Sequence, residues 1–288
     1  MTLLVVGSIN EDLTIRLPEF PQPGETLGAS SVTRTIGGKS ANQAVAAALV
    51  GAQCRLVARV GSDDGGAEAL RVLGEAGVDT DGVLAGEGPT GSAFISVRDD
   101  GENTIVVVPG ANAQLHVEHI SEDVFDGADW LLLSLEVPLA TVGGLAARAR
   151  AAGVRVALNA SPLPNQALDL THVDMVVVND GEASRLLRDQ ASAESARADH
   201  LGVETLVVTH GGDGATIHGR EGDVVSVPGV PVRAVDTTGC GDAFAGALVG
   251  RLTRGDTVSQ AGATAARFAA EAATRPGAQV SYPRDFAV

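Results

Sequence analysis

Short apolar runs that alternate with helical segments constrain the fold of this chain more than any other feature. Leu3 to Val6 is one such run, and the later ones are Trp130 to Leu135, Val154 to Leu158, Met175 to Val178 and Leu206 to Thr209. The segments between them have helical spacing, as in Ala140 to Ala152, Asp180 to Arg188 and Ser192 to Leu201. This alternation predicts an α/β fold with a mostly parallel central sheet and helices on both faces. Ligands are then expected at the carboxyl ends of the strands.

Two regions interrupt this alternation. In them polar and apolar residues alternate, as is typical of half-buried strands, over Asp12 to Leu17, Ala29 to Thr35, Ala93 to Arg98 and Thr104 to Val108. Four such strands do not fit inside a parallel core, so we expect a small antiparallel β lid drawn from about residues 12–35 and 92–109. Since no linker or repeat divides the chain, residues 1–288 are predicted to form one domain that carries this lid.

The balance of charge excludes several classes of partner. Lys and Arg number 20 against 36 Asp and Glu, which gives a net charge of -16, and Lys39 is the only lysine. Proteins that bind nucleic acid or anionic membranes need a basic face, so we expect neither partner. Cys54 and Cys240 are too few and too far apart for a disulfide scaffold. With no basic leader and no run of about 20 apolar residues, a cytoplasmic protein is expected.

A Gly-rich segment leads directly into a helix in the last third of the chain. Residues Val235 to Phe244 read VDTTGCGDAF. Consecutive backbone N–H groups at Gly239, Cys240 and Gly241 can face an anion there, assisted by the helix dipole. The residues leave two interpretations open for Asp242, which either caps the helix or accepts the proton of an alcohol that attacks a bound phosphate.

A second Gly-rich segment, Gly37 to Ala46, begins an Ala-rich helix. Its Gly pair allows backbone to approach a ligand, while Lys39 and Asn42 offer a charge and an amide from one turn. The GxxxxGK[ST] spacing of a P-loop is missing. Taken alone, the segment is either a ligand site or a capped helix with Ser40 as its N-cap.

Nine segments spread over the whole chain form one ordered series. They are GSINED (7–12), PGET (23–26), GGKSANQAVAAA (37–48), GENTIVVVPGAN (101–112), LEVPLAT (135–141), Asn179 with Glu182, Thr209 with GGDG (211–214), DTTGCGDAF (236–244) and GAQVSYP (277–283). In this order they resemble the ribokinase branch of the PfkB carbohydrate kinase family. The resemblance implies a ribokinase-like fold and an ATP-dependent sugar kinase.

The resemblance also implies roles for residues that match the family motifs by position. Asp242 is expected to be the catalytic base, and the anion hole for the transferred phosphoryl group is expected at Gly239, Cys240 and Gly241. The sugar is expected to contact Asn10, Asp12, Gly38, Lys39, Asn42, Glu136 and Asp242, under an apolar cover from Ala93 and Ile105. The nucleotide side is expected at Asn179, Thr209, Gly211, Gly214 and Gly241.

Two ions are implied as well. Asn179 and Glu182 match a motif that organises Mg²⁺ indirectly, although the residues alone favour a helix cap and a first-turn carboxylate. The GGDG segment equally suits a hairpin turn before Ala215 to His218. A monovalent-cation site, with activation by K⁺, is expected at Asp236, Thr238, Ala272, Arg275, Gly277 and Ser281, mostly through backbone carbonyls.

The implied reaction is transfer of the γ-phosphoryl group of ATP to the primary hydroxyl of D-ribose, which gives the 5-phosphate and ADP. Fructose, deoxyribose or a nucleoside are alternative acceptors, although one Tyr and six Phe provide few rings to stack on a nucleobase. A non-catalytic sugar-binding regulator is a further alternative. The intact GxGD segment, Gly239 to Asp242, argues against it. A dinucleotide-dependent dehydrogenase is excluded, because Gly7 opens no GxGxxG fingerprint. A homodimer through the β lid is expected, since an exposed sheet with an apolar face needs covering.

Two residues depart from the commonest family pattern: Ser40 stands where Gly is usual, and Cys240 where Ala is usual. A Cβ at position 40 would disturb the sugar side if the backbone there needs a positive φ. The thiol of Cys240 is expected either to make the site sensitive to oxidation or to be an inert small side chain.

Overall fold

The computed structural model of the protein describes residues 1–100, 102–187 and 198–288. The strands are, in chain order, β1 (Thr2–Gly7), β2 (Asn10–Leu17), β3 (Ser31–Gly37), β4 (Gln53–Gly61), β5 (Val83–Gly86), β6 (Gly91–Arg98), β7 (Asn103–Val108), β8 (Ala128–Leu133), β9 (Arg155–Asn159), β10 (Met175–Asn179), β11 (Thr205–Thr209), β12 (Gly214–Gly219) and β13 (Val224–Pro228). The α-helices are α1 (Lys39–Leu49), α2 (Asp64–Glu75), α3 (Leu139–Ala151), α4 (Asp180–Leu187), α5 (Cys240–Thr253) and α6 (Val258–Ala272).

A large sheet runs through the molecule in the order β13-β12-β11-β10-β9-β8-β1-β4-β5. The strands from β11 to β5 are parallel to their neighbours, and β12 and β13 add antiparallel strands at one edge. The predicted mostly parallel sheet is therefore confirmed. The five apolar runs coincide with β1, β8, β9, β10 and β11, and no strand end is displaced by more than two residues.

Alternate residues of β1 belong to two separate apolar layers. Leu3 and Val5 pack with α1, α2, α5 and α6, whereas Leu4 and Val6 pack with α3 and α4. All four side chains are at most 1% exposed. A strand that is buried on both faces needs apolar residues at every position, which is why this run contains no polar side chain. Helices therefore cover both faces of the sheet, as predicted.

A second sheet has the order β3-β2-β6-β7. The β2/β3 and β6/β7 pairs are antiparallel, as predicted for the lid, but the two pairs are joined by parallel pairing of β2 with β6. The parallel junction arises because both central strands begin side by side, where Asn10 lies opposite Gly91. We call this sheet the lid.

Several local predictions have different outcomes. Helix α3 confirms the helix predicted at Ala140 to Ala152, and α4 confirms the one from Asp180 up to Leu187, with Arg188 outside the described residues. Of the helix predicted at Ser192 to Leu201, residues 192–197 lie outside the described residues, and Ala198–Leu201 form a 3-10 helix. The described helices include none that is long and apolar enough to cross a membrane.

Candidate active site

Loops at the carboxyl ends of β9, β10 and β11 meet the first turns of α1 and α5 around a cavity of about 130 Å³. Its lining residues are Lys39, Asn159, Ser161, Val177, Val178, Asn179, Glu182, Thr209, Gly239, Gly241 and Asp242. This edge of a parallel sheet is the one at which α/β proteins bind ligands. The fold thus brings together seven of the predicted site residues, from four separate motifs.

Helix α5 begins at Cys240, and Gly239 is its N-cap at φ 74°. Glycine is required there, because a Cβ would also come within 2.8 Å of the Cβ of Ala278. The N–H of Cys240 donates to the carbonyl of Thr237 at 3.1 Å, whereas the N–H groups of Gly239 and Gly241 have no acceptor within the described residues. Two of the three predicted anion-hole donors are therefore free to bind a ligand.

The carboxylate of Asp242 is 7% exposed and lies in the first turn of α5. Its Oδ2 accepts from Nδ2 of Asn42 at 3.2 Å, and its Oδ1 accepts from Nε2 of Gln43 at 3.0 Å. Nζ of Lys39 is 4.0 Å from Oδ1, and the charge of Asp242 raises the pKa of Lys39 although burial lowers it. The capping interpretation of Asp242 is wrong, because Gly239 is the N-cap.

The predicted sugar-side residue Asn10 is held by Asn112, for which no sequence motif predicts a role. Oδ1 of Asn10 accepts from Nδ2 of Asn112 at 2.8 Å. Asn112 also exchanges two hydrogen bonds of 3.0 Å with the backbone of Ile9 and is 1% exposed. Its position at the end of the GENTIVVVPGAN segment was the only sequence signal for it.

Glu136 connects the end of β8 to the beginning of α1. Its Oε2 accepts from Oγ of Ser8 at 2.6 Å and from the backbone N–H of Lys39 at 3.1 Å. Ser8, for which no sequence motif predicts a role, thus orients Glu136, a predicted sugar-binding residue. Gly38 caps α1 at φ 92°, and a Cβ there would approach Cα of Ile9 to 2.9 Å. Backbone from the two predicted sugar segments is therefore in direct contact.

Asp12 is 8% exposed, and its carboxyl group has no hydrogen-bond partner within the described residues. Burial, followed by the charges of Glu136 and Asp242, raises the pKa of Asp12 to about 7. An unpaired buried carboxyl group opposes folding but is available to ligand hydroxyls.

The predicted apolar cover lies on the same face of the lid as Asp12. Asp12 is opposite Ala93 in the β2/β6 pair, and Ile105 is opposite Ile95 in the β6/β7 pair. Ala93 is 6% exposed and Ile105 is 52% exposed. A cavity of about 270 Å³ separates this face from the loop before Gly239, and Asp12 and Ile95 line it. Ile105 does not line that cavity.

A third cavity, of about 300 Å³, lies on the other side of Gly241. Thr209, Gly211 and Gly214 form one wall, and apolar side chains such as Phe244 form another. The predicted nucleotide loop is the 3-10 turn Gly211–Asp213 between β11 and β12, so the hairpin interpretation is confirmed. The turn thus serves as a wall of this cavity.

Asn179 and Glu182 cap the first turn of α4 reciprocally. The N–H of Asn179 donates to Oε2 of Glu182 at 3.0 Å, and the N–H of Glu182 donates to Oδ1 of Asn179 at 2.9 Å. The capping interpretation is confirmed, yet both residues also line the cavity with Asp242. The described part of the chain contains no group of three or more His, Cys, Asp or Glu that could hold a metal ion. Mg²⁺ usually binds one or two carboxylates, waters and substrate phosphates, so these residues fit an indirect role.

Asp236 joins two loops of the predicted cation site. Its Oδ1 accepts from the N–H of Thr238 at 2.9 Å, and its Oδ2 accepts from the N–H of Gly277 at 2.8 Å. Burial alone would raise the pKa of Asp236, but these hydrogen bonds outweigh it and the pKa is lowered. The structure thus brings these three predicted residues together.

The other three predicted cation residues form the adjoining turn. The carbonyl of Ala272 accepts from the N–H of Arg275 at 3.2 Å. The carbonyl of Ser281 accepts from Nη1 of Arg275 at 3.3 Å. Two carbonyls of the predicted ligand set are therefore already hydrogen-bonded within the chain.

The two departures from the common family pattern have different surroundings. Ser40 is not the N-cap of α1 but lies within its first turn, where Oγ is 2.9 Å from Oγ of Ser134. The described non-glycine residues include none with a positive φ, so the Cβ of Ser40 is accommodated without backbone strain. Burial, followed by the charges of Asp236 and Asp242, raises the pKa of Cys240 to about 11. A thiol that stays protonated at neutral pH is a poor nucleophile, which favours the inert interpretation.

A buried carboxylate at a helix N-terminus with free N–H groups, between a polar pocket and an apolar one, is suited to phosphoryl transfer onto a small molecule, as in small-molecule kinases. The model of the family described as "pfkB family carbohydrate kinase" matches residues 2–285. The chain belongs to this family and is a sugar kinase.

Three similar proteins are ribokinases. The ribokinase of Haemophilus influenzae is 37% identical over 294 residues, covering 98% of this chain and 95% of that protein. The structure of a ribokinase from Thermotoga maritima has a TM-score of 0.90 at 33% identity, covering 99% of this chain and 97% of that one. The structure of Arabidopsis thaliana ribokinase complexed with ribose and ATP has a TM-score of 0.89 at 30% identity, covering 98% and 95%. The predicted resemblance to the ribokinase branch is confirmed.

Proposed function

We propose that the protein transfers the γ-phosphoryl group of ATP to O5 of D-ribose, giving D-ribose 5-phosphate and ADP. The observation that carries the proposal is the place of Asp242, which adjoins the free N–H of Gly241 and reaches Lys39 and Asn42 of the sugar-side motif. The similarity to a plant ribokinase complexed with ribose and ATP supports the choice of both substrates.

In the proposed reaction Asp242 accepts the proton of the attacking hydroxyl. The new bond joins the sugar oxygen to the γ-phosphorus, while the bond from that phosphorus to the oxygen bridging to the β-phosphate breaks, and ADP leaves with the electron pair. The N–H groups of Gly239 and Gly241 stabilise negative charge on the moving group, together with the N-terminus of α5. Cys240 contributes through its backbone, which fixes the turn with Thr237.

The sugar hydroxyls are proposed to bind between β1, β8 and the lid. Asn10, Asp12 and Glu136 contribute acceptors from one side, and Lys39 and Asn42 contribute donors near Asp242. The carboxyl group of Asp12, which lacks a partner among the described residues, is suited to accept hydroxyl hydrogen bonds. Gly38 allows the sugar to approach the backbone.

The nucleotide is proposed to lie in the cavity of about 300 Å³, with its base against the apolar wall at Phe244 and its phosphates towards Gly241. When Mg²⁺ is bound, it neutralises phosphate charge, and Asn179 and Glu182 would orient its water ligands. A K⁺ site is proposed at the carbonyls around Asp236, Thr238 and Gly277. Equal turnover in K⁺ and in a large organic cation would contradict activation by K⁺.

We further propose that residues 1–288 act as one domain whose lid closes over the sugar and also forms a homodimer. On the face opposite Asp12 the lid exposes Val32, Phe94, Val106 and Val108, each between 41% and 63% exposed. Covering these side chains favours association. Light scattering that gives a monomer at micromolar concentration would contradict the dimer.

A cytoplasmic location is also proposed. Two free cysteines, Cys54 and Cys240, support it, because disulfides are rare in that compartment.

The first experiment measures ADP release with ATP, Mg²⁺ and K⁺, for D-ribose, 2-deoxyribose, fructose, adenosine and no acceptor. Wild-type protein is compared with Asp242→Asn, which keeps the size of the side chain but cannot accept a proton. We expect turnover on ribose that falls by about 10²–10⁴-fold in the variant. Preference for another acceptor would change the substrate only, while ribose binding with no turnover on any acceptor would favour a non-catalytic regulator.

A nucleoside is the second candidate acceptor. An apolar cavity of about 350 Å³ adjoins Asn10 and Glu136 and is lined by side chains such as Val107 and Pro138. It could accept a base attached to the sugar, although no aromatic ring among the described residues lines it. A higher kcat/KM with adenosine than with ribose would favour this candidate.

A further inference from the structure

Tyr282 is a fully enclosed aromatic residue directly after the 3-10 helix Gln279–Ser281. It is 2% exposed, and its ring packs edge to face on Phe268, with 5.5 Å between the ring centroids. Phe268 in turn packs on Phe286 with 5.1 Å between centroids. Only the hydroxyl group of Tyr282 therefore needs a polar partner in this aromatic cluster.

That partner is the active-site loop. The hydroxyl group donates a hydrogen bond of 2.7 Å to the carbonyl of Gly239. The same carbonyl accepts from the N–H of Ala243 at 2.8 Å, as the first backbone bond of α5. The two donors use both lone pairs of the carbonyl oxygen and so fix its direction. If the hydroxyl group is removed, the hydrogen bond from Ala243 remains, but the direction of the carbonyl is less restrained.

Gly239 is the residue whose orientation decides where the anion-hole donors point. It adopts φ 74° and ψ 0°, and its carbonyl belongs to the Gly239–Cys240 peptide, which lies between the two peptides that carry the free N–H groups of Gly239 and Gly241. Ala278 packs so closely on Gly239 that a Cβ there would come within 2.8 Å of its methyl carbon. The peptide is thus fixed by Ala278 on one side and by the hydroxyl of Tyr282 on its carbonyl.

We propose that Tyr282 is a positioning residue for phosphoryl transfer: its hydroxyl group holds the Gly239–Cys240 peptide so that the N–H groups of Gly239 and Gly241, in the peptides on either side, face the moving phosphoryl group. Tyr282 touches neither substrate and acts through Gly239. The inference rests on the proposed function, because it assumes that these two N–H groups form the anion hole.

Loss of the Tyr282 hydroxyl group is expected to destabilise the transition state more than the complexes with substrates. Negative charge on the phosphoryl oxygens is stabilised by donors that are already oriented, so small errors in their direction reduce kcat. The sugar contacts at Asn10, Asp12 and Glu136 and the apolar nucleotide wall at Phe244 do not involve Tyr282. Substrate affinities are therefore expected to stay unchanged when its hydroxyl is lost.

The test compares Tyr282→Phe with Phe286→Leu. The first variant removes only the hydroxyl, and the second disturbs the same aromatic cluster at a residue that does not contact Gly239. We measure kcat, the KM values for ribose and ATP, the melting temperature, and the factor by which fluoroaluminate, a mimic of the planar phosphoryl group, tightens Mg²⁺-ADP binding. For Tyr282→Phe we expect kcat and the fluoroaluminate factor to fall about tenfold, with KM within twofold of wild type. Phe286→Leu is expected to lower the melting temperature and to keep both quantities.

The inference is overturned if Tyr282→Phe keeps both kcat and the fluoroaluminate factor. It is equally overturned if both variants lose activity in proportion to their loss of stability, because Tyr282 would then be a core residue only. The fluoroaluminate measurement needs no acceptor, so it decides the role of Tyr282 even if ribose proves to be the wrong substrate. Absence of ribose turnover in the wild-type protein would contradict the proposed function and not this inference.

Discussion

Nε2 of Gln43 lies 3.0 Å from Oδ1 of Asp242, although 199 positions separate the two residues in the chain. The contact exists because α1 and α5 pack at glycine and alanine positions. A Cβ on Gly246 would collide with the backbone of Gln43, and a Cβ on Gly250 would approach Ala47 to 3.0 Å. Small residues on α5 thus bring the base into reach of the sugar-side helix. Close helix packing is therefore what assembles two distant motifs into one site.

The first prediction concerns Gln43, whose side chain is fully buried. Gln43→Met keeps the length of the side chain but removes the donor to Asp242, so the carboxylate becomes less fixed. We expect kcat to fall roughly tenfold, since a hydrogen bond to a charged group contributes about 1.5–3 kcal/mol. Steady-state kinetics on ribose measure it, and Gln114→Met, which makes the same change outside the cavities, is the control. An unchanged kcat would mean that Asn42 alone orients the base.

The second prediction is a pH dependence that comes from Asp12. Because its pKa is raised to about 7, the carboxyl group is protonated in acid and cannot accept hydrogen bonds from the sugar. We expect kcat/KM for ribose to fall as the pH drops below about 7, by up to roughly tenfold per pH unit. The profile of Asp12→Asn should be lower at pH 8 and flat across this range. If the acidic limb persists in the variant, another group causes it.

The third prediction is that the raised pKa of Asp12 also makes stability depend on pH. The free energy of unfolding is expected to fall as the pH rises, whereas kcat/KM rises. A carboxyl group whose folded pKa of about 7 exceeds its ordinary value of 3.8 makes no unfavourable contribution below pH 3.8, and destabilises the fold increasingly as the pH rises towards 7. Asp12→Asn should therefore raise the free energy of unfolding at pH 8, by about 2 kcal/mol, and change it little at pH 4. Urea unfolding at the two pH values measures this difference. Equal effects at both would show that ionisation of Asp12 is not the cause.

A fourth prediction concerns the nucleotide side, where His210 connects two elements. Its Nδ1 is 2.7 Å from Oδ1 of Asp180 on α4, and its Nε2 is 2.8 Å from Oγ1 of Thr216 on β12. These bonds order the turn at Gly211 before nucleotide binds, so His210→Ala would transfer that ordering cost to binding. We expect KM for ATP to rise about fivefold with KM for ribose unchanged. His172→Ala, outside the cavities, is the control, and an equal change in both KM values would contradict the prediction.

Local patterns predicted the parts of the fold and site that depend on neighbouring residues. The apolar run Leu3 to Val6 predicted a buried strand, and the GxGD segment predicted a helix start beside Asp242. The parallel β2/β6 junction could not be predicted, because it depends on which strand ends become neighbours.

The residues that sequence reasoning missed depend on partners far along the chain. Ser8 binds Glu136 across 128 positions, and Asn112 binds Ile9 across 103. Tyr282 lies 43 positions from Gly239, and the role of its hydroxyl group can be inferred only when the position of the Gly239 carbonyl is known. Motif spacing identifies residues that contact the ligand, whereas the side chains that support them become visible only after folding.

The last prediction addresses Ser40, where the family commonly has Gly. Ser40 and Ser134 are both fully buried and share a hydrogen bond, and Oγ of Ser40 occupies the space into which a Cβ on Gly7 would point. Ser40→Gly loses this bond and adds a flexible residue to α1, so we expect the free energy of unfolding to fall by about 1–2 kcal/mol. Ser40→Ala, which loses only the bond, should fall by less. Because the backbone at residue 40 is helical in both variants, KM for ribose should stay within twofold of wild type. Urea unfolding and steady-state kinetics on ribose measure the two quantities. A change in KM at unaltered stability would instead mean that Ser40 shapes the sugar pocket.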